Sequence, residues 1–133
     1  MREILFRGKR IDKGEWAEGY FVYCKSEWDD ESGRTAEIIP HETDRIYKGE
    51  YNPYDVYEVD LNTVGQFTGL TDKNGKRIFE GDILSLRTGK PHLVKFEEGG
   101  FVLTDTAIPF RYADKFEVIG NIHDNPELIK EDS

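Results

Sequence analysis

The residue types best suited to ligand binding lie in one central stretch, residues 68–84. Gly69, Gly75 and Lys76 are of the kinds found in phosphate-binding loops. Such a loop needs Ser or Thr directly after the lysine to ligate magnesium, and a following helix whose dipole faces the phosphate. Here Arg77 follows the lysine, the glycine spacing is one residue too long, and the next residues are typical of a strand. The pattern therefore excludes a phosphate site.

The same stretch contains side chains that could hold calcium, namely Asp72, Asn74 and Asp82. A calcium loop of this kind also needs a later bidentate Glu, which the spacing lacks. Asp72 to Gly75 is instead the strongest hairpin signal in the chain, because Asp can accept backbone hydrogen bonds and Gly can take the left-handed conformation. We predict a tight turn here, and no metal site.

The remaining candidates for catalysis are scattered: His41, His92, His123 and the single Cys24. None has metal-ligand spacing to another, and no nucleophile or metalloprotease motif is present. We predict no catalytic residues, no cofactor and no enzymatic activity. An enzyme is the third alternative, and it would need two of these four residues to meet a carboxylate in an apolar pocket.

Alternating apolar residues predict strands along most of the chain. An N-terminal hairpin joins residues 2–10 to residues 15–24 around a turn at Gly14. The second half of residues 15–24 is apolar on both faces, which predicts burial on two sides. Short strands are predicted at residues 36–39, 57–59 and 64–70.

The C-terminal half has turn residues at short, even intervals. Five short strands are predicted there, over residues 83–86, 92–96, 101–104, 108–112 and 116–122. This rhythm is typical of a small SH3-like barrel. A short C-terminal helix should follow, with Asn125 as its cap and Pro126 at its first position. The predicted fold is all-β, with the N-terminal hairpin and short strands packed with this barrel.

Length and composition favour a cytoplasmic protein of one domain, or of two very small domains that share a core. We assign the 133 residues to a single domain, 1–133, with subregions 1–79, 80–124 and 125–133. No apolar run is long enough for a membrane span, and no signal segment opens the chain. A secreted domain of this size would usually have paired cysteines, whereas this chain has one.

The net charge of −9 repels nucleic-acid backbones at long range. We therefore do not expect nucleic acid as a partner. Two small basic clusters leave a nucleic-acid-associated barrel as the alternative; they are Arg7, Lys9 and Arg10, and Lys73, Lys76 and Arg77.

A tyrosine-rich stretch is the candidate partner surface: Tyr47, Tyr51, Tyr54 and Tyr57. Tyrosines among charges offer rigid apolar area with a polar tip, as recognition surfaces do. The alternative is that the rings fold back over the edge of the sheet. A self-interface is the simplest functional version.

Several segments together carry a family resemblance. They are residues 1–10, 14–16, 19–20, 38–40, 59–70, 81–83 and 118–128. Over nearly the whole chain they resemble the YopX family of phage and prophage proteins, and the central block is the most specific part. The resemblance implies a β-rich protein encoded by bacteriophages and acting in the bacterial cytoplasm. It implies no reaction, cofactor or catalytic residue.

These observations together predict a non-enzymatic phage accessory protein that works through protein–protein contacts. Self-association is the expected contact, with a host or phage protein as the other kind of partner.

Overall fold

The computed structural model describes residues 4–25, 34–40, 56–87 and 89–129, with residues 24, 25, 34 and 35 described by their backbone alone. The described part is rich in antiparallel strands, so the all-β prediction is confirmed. Its strands are β1 (Phe6–Arg10), β2 (Trp16–Lys25), β3 (Arg34–Pro40), β4 (Tyr57–Thr71), β5 (Arg77–Phe79), β6 (Asp82–Ser85), β7 (His92–Glu97), β8 (Gly100–Leu103) and β9 (Glu117–Asn121). Two short 3-10 helices lie at Phe110–Lys115 and Pro126–Leu128.

The chain divides between Gln66 and Phe67 into two compact units. The N-terminal unit contains β1 to β3 and most of β4. The C-terminal unit contains the end of β4 and everything after it. The assignment of residues 1–133 to one domain stays a prediction.

The N-terminal unit is a closed circuit of strand pairings. β1 pairs with β2, β2 with β3, β3 with β4, and β4 with β1. The buried residues Ala17, Ala36, Ile38 and Val59 form its core, and Phe6 packs against them. Four strands enclose little space, which explains why two of these core residues are alanines.

Two glycines allow the strands of this circuit to approach closely. A Cβ on Gly8 would lie 2.8 Å from Val59 Cγ2, and a Cβ on Gly19 would lie 2.0 Å from the Ile39 carbonyl oxygen. Neither glycine has a positive φ. Glycine is therefore needed at these two positions because there is no room for a Cβ, and not because of the backbone conformation.

One prediction for β2 is wrong. Its second half is not buried on two sides, because Tyr20 is 55% exposed and Tyr23 46% exposed. Phe21 lies on the core side, 5.7 Å from the Phe6 ring centroid. Period-two alternation places Tyr20 on the opposite, outer face. Apolar residues on both faces of β2 therefore did not indicate burial of both faces, because the outer face carries the exposed Tyr20.

The C-terminal unit contains an antiparallel sheet with the strand order β8-β7-β6-β9. Its core cluster of buried residues is Ile78, Leu84, Val94, Leu103, Ala113 and Phe116. The predicted strand over residues 108–112 is wrong, because a 3-10 helix begins at Phe110. Phe110 and Ala113 are three residues apart, so the 3-10 period directs both to the same core.

The predicted helix after residue 125 is confirmed as one 3-10 turn that begins at Pro126. Asn125 is the N-cap residue, as predicted, but its side chain makes no capping hydrogen bond. Its Oδ1 accepts a hydrogen bond from the Asn121 N–H at 3.3 Å instead. No helix in the described ranges is long and apolar enough to cross a membrane.

The close approach at Gly19 gives the first testable prediction. Gly19→Ala should lower the free energy of unfolding by at least about 1–3 kcal/mol, because its Cβ would collide with backbone that cannot move aside easily. Urea denaturation followed by circular dichroism measures this change. Gly100→Ala is the matched control, since nothing lies within 4 Å of its Cβ position. Equal stability of the two variants would show that β2 and β3 do not approach so closely.

Candidate partner-binding surface

The central turn is organised by the Asp72 carboxylate, which is only 5% exposed. Its Oδ1 accepts hydrogen bonds from the N–H of Asn74 at 2.8 Å and of Lys76 at 2.9 Å. Gly75 takes a φ of 83°, in the left-handed region. The turn predicted from Asp72 to Gly75 is therefore present, and its polar residues are used to hold the backbone.

The same carboxylate also attaches this turn to β9. Asp72 Oδ2 accepts a hydrogen bond from the Val118 N–H at 2.9 Å, and the Lys73 N–H donates to the Phe116 carbonyl at 3.0 Å. Further along β9, Asn125 and Leu128 lie so close to Gly120 that a Cβ there would be 2.6 Å from Asn125 Oδ1. The turn and the terminal 3-10 helix thus cover the outer edge of β9.

The hydrogen bonds to Asp72 determine its ionisation. Burial alone would raise the pKa of the carboxyl, but the N–H donors of Val118, Lys76 and Asn74 outweigh it and lower the pKa below its ordinary value. A carboxylate with a lowered pKa stabilises the fold above its unfolded pKa. This stabilisation is lost as the pH falls through the folded pKa.

The bend before β6 has a similar construction. Asp82 is 1% exposed, and its Oδ2 accepts a hydrogen bond from the Phe79 N–H at 2.8 Å. Gly81 has a φ of 92°, donates to the Val94 carbonyl and accepts from the Ile122 N–H. The carboxylates of Asp72 and Asp82 therefore both accept hydrogen bonds from backbone N–H groups and hold the local backbone in place.

The N-terminal basic cluster does not form an open basic patch. Arg7 is 8% exposed, and its guanidinium lies 4.7 Å from the Trp16 ring centroid. The Arg10 guanidinium lies 4.1 Å from the Tyr57 ring centroid and bonds the Asp12 carboxylate at 2.8 Å. Cation–π contacts and an ion pair thus occupy the two arginines.

The basic residues near the central turn are more exposed. Lys73 is 3.8 Å from the Glu117 carboxylate, and the Arg77 guanidinium is 5.9 Å from the Phe67 ring centroid. The two basic clusters belong to different units.

The histidines have separate surroundings. His92 is buried, and its Nδ1 lies 2.6 Å from the Thr104 carbonyl oxygen, so Nδ1 carries the proton and donates. His123 is exposed and lies beside Gly81. His41 and the Cys24 side chain fall outside the described parts of the chain. Among the residues that the structure describes, no group of three His, Cys, Asp or Glu side chains could hold a metal ion.

Of the four tyrosines in the candidate partner surface, the structure describes Tyr57. Tyr47, Tyr51 and Tyr54 lie outside the described residues, so the prediction for them stays a prediction. Tyr57 lies in β4 opposite Ile38 and packs against the core of the N-terminal unit. Tyr57 is half-buried, and its ring centroid lies 4.1 Å from the Arg10 guanidinium carbon; its role in a partner surface also stays a prediction.

An aromatic row that the sequence analysis missed lies on the C-terminal unit. We define it as Phe96, Phe101 and Phe110. Phe96 and Phe101 are directly opposite in β7 and β8, with ring centroids 5.1 Å apart, and Phe101 lies 5.9 Å from Phe110. Phe101 and Phe110 pack against the core, whereas Phe96 is 50% exposed. The row therefore leads from the core, through Phe101 of β8, to the exposed Phe96 of β7.

β8 is the end strand of its sheet, and in the described residues β7 is its neighbour. It consists of Gly100, Phe101, Val102 and Leu103, and carries neither charge nor proline. Charges and proline are the usual protection of an edge strand against pairing with another chain. The Thr104 side chain accepts from the Leu93 N–H, which extends the β7–β8 contact beyond the strand. The candidate partner surface is thus the β8 edge together with the aromatic row.

The fold and this surface define a small all-β protein. In its described residues the C-terminal sheet has β9 bonded to the central turn at one edge and β8 as the end strand at the other. A family model described as "YopX protein" matches residues 5–130. The chain therefore belongs to the YopX family, as the sequence resemblance predicted.

A similar solved structure is the crystal structure of protein EF1440 from Enterococcus faecalis. It has 24% sequence identity and a TM-score of 0.57, and the match covers 98% of this chain and 100% of that chain. At this identity the likeness concerns the fold alone. Among curated proteins, none matches this chain.

The Asp72 network gives the second prediction. Asp72→Asn should lower the free energy of unfolding at neutral pH by roughly 1.5–3 kcal/mol, because one amide oxygen cannot accept from three N–H donors. The difference from the unmodified protein should shrink as the pH falls below about 4, where Asp72 of the unfolded chain becomes protonated, and should be lost as the pH passes through the lowered pKa of folded Asp72. Thermal unfolding across this pH range measures both effects. Asp114→Asn, at an exposed position, is the control and should show neither.

Proposed function

We propose that this protein is a phage or prophage accessory protein that acts in the bacterial cytoplasm through protein–protein contacts, without catalysis. We further propose that it associates with a second copy of itself through β8. The observation that carries the proposal is the uncharged end strand β8 beside the half-exposed Phe96. The opposite edge of the sheet, at β9, is already used inside the chain.

Pairing of two β8 edges is compatible with the charge of the protein. Two copies repel each other because each has a net charge of −9. A contact made by an uncharged strand adds no further like-charge pair at the interface. An antiparallel pairing around a twofold axis would also bring the two aromatic rows together and bury the exposed part of Phe96.

A nucleic-acid-binding role has less support. The net charge is unfavourable, and Arg7 and Arg10 are engaged by rings and carboxylates of the protein itself. The phage context rests on membership of the YopX family.

The third prediction tests the contact through β8. Val102→Glu should convert a concentration-dependent dimer into a monomer, because two such carboxylates would face each other across the paired edges. In the monomer, the new carboxylate lies opposite Lys95, so folding should be preserved. Sedimentation velocity from micromolar to millimolar protein measures the change.

Ile119→Glu is the matched control. It introduces the same charge on β9, at a residue that is 41% exposed, but on the edge that the central turn covers. This variant should associate like the unmodified protein. An unmodified protein that stays monomeric over the whole concentration range, or an equal effect of both variants, would contradict the proposal.

A further inference from the structure

The outer face of the N-terminal unit carries a second surface, which is independent of β8. Strand register places Tyr20 opposite Ile39, and places Val22, Glu37 and Glu58 in the next cross-strand row. We call these five residues the outer strip. Tyr20 is 55% exposed, Glu58 is exposed, and the other three are half-buried. The strip thus combines apolar area with two carboxylates.

The charges along this face are arranged unevenly. Glu18 lies opposite Arg7, and Asp60 lies opposite Lys9, so these carboxylates have a basic cross-strand neighbour. Glu37 has Glu58 opposite it on one side and uncharged Val22 on the other. Like charges directly opposite each other destabilise a sheet.

In the described strand pairings, neither Glu37 nor Glu58 has a basic residue directly opposite it. By contrast, the carboxylates of Asp12 and Glu15 lie near Arg10, and that of Glu117 lies near Lys73. From this register we expect the Glu37–Glu58 pair to lower the stability of the sheet. Local conflicts of this kind are typical of places that serve binding.

We propose that the outer strip docks a basic segment of a protein partner. A Lys or Arg side chain of the partner would lie between Glu37 and Glu58, and an adjacent apolar side chain would pack on Tyr20 and Ile39. Charge complementarity supports this occupant, because a cation removes the repulsion between the two carboxylates. The net charge of −9 would also steer a basic partner towards the protein.

The same charge argument disfavours the other occupants. A second copy would present the same two carboxylates and the same net charge. A nucleic acid would place phosphates against Glu37 and Glu58. Either occupant would place further negative charge beside Glu37 and Glu58 and so increase the electrostatic repulsion there.

A peptide titration tests the proposal. The probes are a capped peptide of alternating Lys and Leu and a capped peptide of alternating Glu and Leu. Amide chemical shifts of the isotope-labelled protein give the affinity and the position of binding. The Lys peptide should shift the amide signals of Tyr20 and Ile39, and the Glu peptide should not.

Two double variants show whether the strip itself is responsible. Glu37→Gln with Glu58→Gln should weaken binding of the Lys peptide roughly three- to tenfold, as expected for the loss of exposed ion pairs. Glu97→Gln with Glu127→Gln removes the same charge from exposed positions on the other unit, and should leave the affinity unchanged. The first variant should also melt at a higher temperature than the unmodified protein, because the like-charge pair is gone.

Three results would overturn the proposal. They are the absence of binding by the Lys peptide, equal weakening in both double variants, and shifts confined to residues away from the strip. A lower melting temperature of the Glu37→Gln, Glu58→Gln variant would refute the premise that the pair is a local cost. Loss of self-association in that variant would instead identify the occupant as a second copy.

Discussion

The buried Asp72 carboxylate accepts three backbone hydrogen bonds, and these bonds attach the central turn to β9 at one edge of the C-terminal sheet. An ionised carboxylate is an acceptor with two oxygens, so Oδ1 can close the turn while Oδ2 receives the Val118 N–H of β9. The hydrogen-bonding edge of β9 is thereby occupied by the central turn of the same chain. In the described residues this sheet ends at β8 and β9, so occupation of the β9 edge leaves β8 as the edge where another strand can add.

The N-terminal unit protects its strand edges from pairing with another chain in a different way. Its strand pairings close into a circuit, so pairing by an added strand is not available to a partner there. The circuit is narrow enough to need Gly8 and Gly19 where its strands approach each other closely. A partner of this unit can use only side chains of the outer face. The two units therefore offer different kinds of contact: backbone pairing at β8 and side-chain complementarity at the outer strip.

Local features were predictable from the sequence and non-local ones were not. The turns at Gly14 and Gly75 follow from residues that are adjacent in the chain, and both glycines have positive φ. The bond between Asp72 and Val118 joins residues 46 positions apart, and nothing in the turn motif indicates it. The 3-10 helix at Phe110 was mistaken for a strand because a short apolar segment fits either period. The β8 residues could be seen to lack charge, but their position at the end of a sheet depends on distant pairings.

Net charge couples the two proposed contacts. Copies of a protein with a charge of −9 repel each other, and only the uncharged β8 lets them approach without adding to that repulsion. A basic segment bound at the outer strip lowers the net negative charge of each copy, and so lowers the free energy needed to bring two copies together. By linkage, association of two copies must then favour binding of the basic partner by the same factor. The coupling needs no conformational change, and screening by salt should weaken it.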